Sequence, residues 1–116
     1  MSNRKDLLYL RDILDSIEAI KQFTEGYTYQ EFQNDRKTFS ATLREFQVIG
    51  EAIGKLSADT KKRYSTVLWQ DIKDFRNKLI HEYFGIDAEI VWNTIEQDIP
   101  QLKVEIVKIL EDCGYE

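Results

Sequence analysis

Apolar residues recur along most of this chain at intervals of three and four, the period of a helix with one face turned inward. Leu10, Ile13, Leu14, Ile17 and Ile20 form the first such stripe, which predicts a helix from about Asn3 to Glu25. Asn3 is placed as its N-cap with Asp6 three residues on, and Gly26 stands where helices favour a terminal glycine. A short helical turn is expected over Tyr29 to Asn34. The next long helix runs from Lys37 to Lys55, with Phe39, Leu43, Phe46, Gly50 and Ile53 on one face. Gly50 and Gly54 stand four apart there, a spacing that lets a neighbouring helix approach closely.

The segment SADTKKRYS, beginning at Ser57, reads as a capped short turn or helix. Trp69 to about Tyr83 forms the next helix, closed by Gly85, and Asp87 caps the last one. In that last helix Val91, Ile95, Ile99, Leu102, Ile106 and Ile109 recur at three and four, and Pro100, inside the pattern, is expected to kink or split it. Strand signals are weak throughout. The pattern predicts an all-α fold, an up-and-down bundle of four to five helices with short connections and mostly antiparallel neighbours.

A length of 116 residues, with one proline, five glycines and no internal repeat, sets the expectation of a single domain over 1–116. Such a chain removes roughly two-thirds of its unfolded surface from water. With 42% apolar and 32% charged residues it has a globular and not a disordered composition. No apolar run approaches the ~20 residues a membrane span needs. The opening MSNRKDLLYLRDI carries charges within its apolar region, unlike a signal peptide. Cys113 is the one cysteine, so no disulfide framework exists within the chain and a cytoplasmic setting is expected.

One cysteine and one histidine also exclude the common zinc sites, which need about four such ligands. The His81-Glu82 step is not a metalloprotease motif, because the position four after His81 is Gly85. A net charge of −5 argues against broad, non-specific coating of nucleic acid. It leaves room for a small basic site. Lys61, Lys62 and Arg63 cluster, and Lys73, Arg76 and Lys78 follow, although such clusters are ordinarily a solvated helix face.

The stretch RNKLIHEYFGID, residues 76 to 87, holds the lone histidine. With Arg76 at 0° and about 100° per residue, Leu68, Ile72, Phe75 and Leu79 fall between roughly −100° and −40°, an arc expected to face the core. Arg76 sits at the edge of that arc and Tyr83 falls near it at about −20°. Asn77 and His81 share a second face, at about 100° to 140°. Arg76 and His81 are therefore about 7.5 Å apart along the axis, within reach of one phosphate for a long arginine. Histidine titrates near neutral pH and can give or take a proton, and arginine stabilises a phosphate in its transition state. With a 2′-hydroxyl as nucleophile, these residues suit metal-free RNA cleavage. In-line transesterification benefits from both a base and an acid, and one histidine supplies only one of them. A twofold homodimer would bring two copies of His81 and Arg76 together across its axis. On spacing alone, a surface histidine beside a salt-bridged arginine remains the ordinary alternative. Glu51 is either an orienting group for the site or an exposed helix residue, and Trp69 and Trp92 are read as core.

The segment R-NKLI-H-E-Y, Arg76 to Tyr83, resembles the motif of the HEPN superfamily and, within it, of the HepT-like toxins. That motif has an arginine, four residues of which the first is polar, here Asn77, then a histidine, one residue and a tyrosine. GEAIGKLS at 50–57, WQDIKDF at 69–75 and GIDAEIVWNTIEQDIPQL at 85–102 are similar to further family segments, so the resemblance covers essentially the whole chain. The resemblance implies a HEPN-like homodimeric bundle and a metal-independent endoribonuclease that needs no cofactor. It implies the toxin of a type VII-like toxin–antitoxin pair, acting on RNA, with tRNA among the candidate substrates. Arg76 and His81 correspond to the catalytic pair, with Asn77 assisting and Glu51, Lys73 and Lys78 as candidate support. The implied partner is a minimal nucleotidyltransferase of the MNT type, an antitoxin that transfers AMP onto Tyr83 and can join it in a hetero-oligomer. A nucleotide on Tyr83 would put phosphate beside Arg76 and fill the RNA site. The alternative is a non-catalytic helical partner, or substrate-recruiting subunit, of such a nucleotidyltransferase.

Overall fold

Gly26 takes the left-handed backbone conformation, φ 80°, that stops the first helix, α1 (Arg4–Thr24). In this computed structural model, which describes residues 4–81 and 87–113 and only the backbone at 79–81, every described element is helical. α2 (Tyr29–Asn34), α3 (Arg36–Lys55), α4 (Ala58–Arg63) and α5 (Trp69–His81) follow. α6 (Ala88–Asn93) then continues through a π-helical turn (Thr94–Asp98) into α7 (Ile99–Asp112). The four long pieces α1, α3, α5 and 88–112 make an all-α bundle, with α2 and α4 as short links.

Side-chain caps explain most of these boundaries. Thr28 and Glu31 form a reciprocal capping box at α2, at 3.1 and 2.9 Å. Asp35 caps α3 by accepting from the Thr38 N–H at 3.1 Å. It also accepts from the Tyr27 hydroxyl at 2.6 Å and the Thr38 hydroxyl at 2.8 Å. The Tyr27 bond first, then those from Thr38, hold the Asp35 carboxyl down to about 2. Ser57 caps α4 through the Thr60 N–H, and Asp87 caps α6 through the Glu89 N–H. Pro100 lies in the first turn of α7, where its missing N–H costs least, and the wide π turn just before it absorbs the break.

The predicted stripes are the core. Leu10, Ile13, Ile17 and Ile20 of α1 meet Leu43, Phe46, Ile49 and Ile53 of α3, and Leu102, Ile106 and Ile109 of α7 complete the layer. The start of α1 lies beside the end of α3: Ser57 donates to Asp6, and the Lys55 ammonium sits 5.8 Å from the centre of the Tyr9 ring. These helices therefore run antiparallel. Trp69 is buried and donates to the Tyr64 carbonyl at 3.2 Å, while Trp92 packs on Phe32 at 5.2 Å between ring centres. Both tryptophans serve the core.

Two expectations change, and Asp6, in the first turn of α1, has a role beyond the expected one; Asn3, its expected N-cap, lies outside the described residues. Asp6 is 1% exposed and accepts from the Ser57 N–H at 3.0 Å, the Ser57 hydroxyl at 2.6 Å and the Thr60 hydroxyl at 2.5 Å. It thus ties the first turn of α1 to the first turn of α4. Burial works to raise its pKa, but these hydrogen bonds and the Lys61 charge outweigh it and leave it lowered. Among the described residues nothing lies within 4 Å of a Cβ at Gly54, so the close helix approach they show is at Gly50. Leu68 does not face the core. It is 65% exposed, because a tight turn (Trp69 N–H to Val67 carbonyl, 2.9 Å) starts α5 and gives the buried position to Val67. Ile72 and Phe75 of the same arc are half-buried, and Phe75 stacks edge-on against Phe46 at 5.1 Å. The Leu79 side chain, and the proposed end of the helix at Tyr83 and Gly85, lie outside the described residues.

Candidate active site

The site is built on the seam between α3 and α5. A Cβ placed on Gly50 would stand 2.3 Å from Cγ of Arg76 and 2.4 Å from its Cβ. The glycine therefore forms the seat of the arginine's aliphatic stem, and only a residue without a side chain fits there. This contact sets the position of α5 on α3 and, with it, the position of the guanidinium. Arg76 is 25% exposed at its side chain, with its stem covered and its head at the surface.

The head has two neighbours. Nη1 donates to Asn77 Oδ1 at 3.0 Å, and Nη2 lies 3.9 Å from Oε2 of Glu51. Nε is buried and makes no hydrogen bond among the described residues. The Glu51 side chain is 58% exposed, so this long ion pair contributes about 0–1 kcal/mol and is readily exchanged. A phosphate offers a stronger partner, because an arginine fork binds it through two charge-assisted hydrogen bonds. Arg76 is thus a pre-positioned cation with a weak counter-charge among the described residues, which suits it to an incoming anion.

Asn77 turns toward Arg76 by accepting its hydrogen bond, which orients the guanidinium. His81 ends the described part of α5, about 7.5 Å beyond Arg76 along the axis. Its side chain lies outside the described residues, as does Tyr83, so the pairings of Asn77 with His81 and Arg76 with Tyr83 do too. Lys73 stands one turn before Arg76 and is half-buried, and Lys78 is exposed. The ion pair to Glu51 was the less readable part of this cluster. Its signal was adjacency: Gly50 faces α5, so the next residue of α3 flanks the same seam.

On the other side of Arg76 lies an apolar groove of about 410 Å³, lined by Leu68, Ile72 and Phe75 of α5 and Leu102 of α7, among others. No described helix is long and apolar enough to cross a membrane.

A family model described as Ribonuclease HepT-like matches residues 13–109. Among curated proteins, the Probable ribonuclease HepT of Thermococcus cleftensis is 39% identical over 101 residues, which is 87% of this chain and 92% of that protein. A protein of Methanocaldococcus jannaschii named as a putative RNase is 40% identical over 114 residues, covering 97% of this chain and 94% of its own. Another from the same organism, named as a gamma-glutamylcyclotransferase and putative RNase, is 38% identical over 110 residues. The chain covers 94% of itself in that match but spans only 50% of that longer relative. No solved structure matches significantly.

Proposed function

Because the chain belongs to the HepT-like ribonuclease family, we propose that it is an endoribonuclease whose reacting groups are Arg76 and His81. The 2′-hydroxyl of RNA attacks the adjacent phosphorus and the bond to the 5′-oxygen breaks, leaving a 2′,3′-cyclic phosphate and a 5′-hydroxyl. One His81 takes the proton from the nucleophile and a second gives one to the leaving oxygen. Arg76 binds the phosphoryl oxygens as their charge grows, and Asn77 holds its fork. No step requires a metal.

The observation that carries this reading is the seating of Arg76. Its stem is locked on Gly50, while the counter-charge on its head among the described residues is one exposed carboxylate 3.9 Å away. The two-histidine requirement favours a homodimer. The exposed Leu68 and the half-buried Ile72 and Phe75 give α5 an apolar flank beside Arg76 that a second copy would cover. In this reading one domain over 1–116 acts as the toxin of a toxin–antitoxin pair, with a nucleotidyltransferase partner silencing it by adding AMP to Tyr83. A phosphate tethered there would compete for the Arg76 head.

The test is RNA cleavage by protein purified without its partner, in the presence of a chelator. Wild type should cut, and His81→Ala should lose at least ~10²-fold in rate with an unchanged circular dichroism spectrum. Absence of cleavage by the unmodified protein, or equal cleavage by the alanine variant, would refute the catalytic reading. The non-catalytic helical subunit would then be the better account.

A further inference from the structure

Lys61 of α4 and Lys73 of α5 come from separate elements, yet they line one cleft of about 350 Å³. Ser65, Gln70 and Asp71 share its wall, above the buried Trp69. Among the described residues no carboxylate lies within ion-pair distance of either ammonium, although Asp71 lines the same cleft. Asp6 lies beneath Lys61, but its oxygens already accept from Ser57 and Thr60. Two cations therefore line one cleft, neither in an ion pair with a carboxylate among the described residues. On α5, Lys73 is one turn before Arg76, about 4.5 Å along the axis and on the flank that carries Asn77. The cleft meets the apolar groove at Val67, Leu68 and Asp71, and Lys73 brings it to within one helical turn of Arg76.

We infer that Lys61 and Lys73 form a second anion subsite, which takes the backbone phosphate neighbouring the scissile one on single-stranded RNA. The inference rests on the ribonuclease reading for its ligand, but not for its geometry. The Lys61 ammonium is disfavoured first by burial and then by the Lys73 charge, with Asp6 opposing, so an anion between the lysines relieves a strain already present. Ser65 and Gln70 add neutral donors to the same wall. The subsite also resolves the conflict between the acidic net charge and an RNA substrate: the overall charge is −5, but Lys61 of α4 and Lys73 of α5 share one cleft.

The experiment measures binding of the full chain to a 2′-O-methyl RNA oligonucleotide, which cannot be cleaved, by fluorescence anisotropy at several salt concentrations. Lys61→Gln/Lys73→Gln should weaken binding and flatten the plot of log K against log salt by about 0.7 to 1.4, the share of one to two phosphates. Lys21→Gln/Lys108→Gln removes the same charge from exposed positions elsewhere and should leave the slope unchanged. Equal slopes for wild type and the Lys61/Lys73 variant, equal losses in both double variants, or no binding by wild type would each overturn the subsite. Cleavage of ordinary RNA by wild type is scored separately. Cleavage with lysine-independent binding defeats the subsite alone, and lysine-dependent binding without cleavage defeats the ribonuclease reading alone.

Discussion

Replacing Gly50 by alanine is the sharpest test of the seam. The new Cβ would stand 2.3 Å from Cγ and 2.4 Å from Cβ of Arg76. That is more than an ångström short of the ~3.5 Å at which carbon atoms attract. The Arg76 Cβ is fixed to the backbone, so no rotamer change clears it. α3 and α5 must part by about an ångström. Overpacking of this kind costs about 1–3 kcal/mol, and alanine returns about 1 kcal/mol through its higher helix propensity. The expected net loss is about 0–2 kcal/mol, measured as a lower urea midpoint with an unchanged m-value. Activity should fall further than stability. A displacement of about an ångström at a positioned group can cost ~10²-fold, so kcat/KM for RNA cleavage should drop by that order. Gly54→Ala is the internal control. Nothing among the described residues lies within 4 Å of its Cβ position, so it should keep full cleavage and gain up to about 1 kcal/mol. A Gly50→Ala protein as active as wild type, or one indistinguishable from Gly54→Ala, would refute the argument that this glycine sets the position of Arg76.

Three other outcomes follow from the same physics. Asp6→Ala strands the Ser57 and Thr60 donors and should cost about 2–4 kcal/mol in urea unfolding, with the loss absent if α4 docks by other means. Asp35 has a folded pKa of about 2, below its unfolded value, so its stabilisation is present above about pH 4 and lost as pH falls toward 2; Asp35→Asn should remove that part of the acid dependence, and an unchanged acid-unfolding curve would count against it. Tyr83→Phe should retain RNA cleavage and resist the nucleotidyltransferase, with no AMP-sized mass increase on coexpression, whereas normal neutralisation of this variant would exclude Tyr83 as the acceptor.

Helix ends were legible because they are written locally. Gly26, Ser57 and Asp87 each act within a few residues of where they stand, so α1, α4 and α6 begin or end within a residue or so of their predicted places. Asp6 was not legible in this way, since its partners are more than fifty residues away and only folding brings them within 3 Å. Leu68 was misplaced because the helical wheel was carried back across a tight turn that precedes α5. At the site, the position of Arg76 at the edge of an apolar arc was readable from periodicity. Its seat on Gly50, the reach of Glu51 and the meeting of Lys61 with Lys73 depend on how α3, α4 and α5 pack, and no single helix carries that information.

The π turn at Thr94–Asp98 works as a phase corrector for the last helix. Val91, Ile95 and Ile99 are spaced by four and four, and in an uninterrupted α-helix Ile99 would be rotated about 80° away from Val91. Both are nevertheless buried, since the wide turn takes up the surplus residue before the spacing resumes at three and four through Leu102, Ile106 and Ile109. The sequence therefore carries one residue more than a regular helix of the same reach would use. Removing a single residue between 94 and 98 would convert the turn to α-helical geometry with both flanking stripes still in register, whereas the same deletion anywhere in α7 would swing half its apolar face into water.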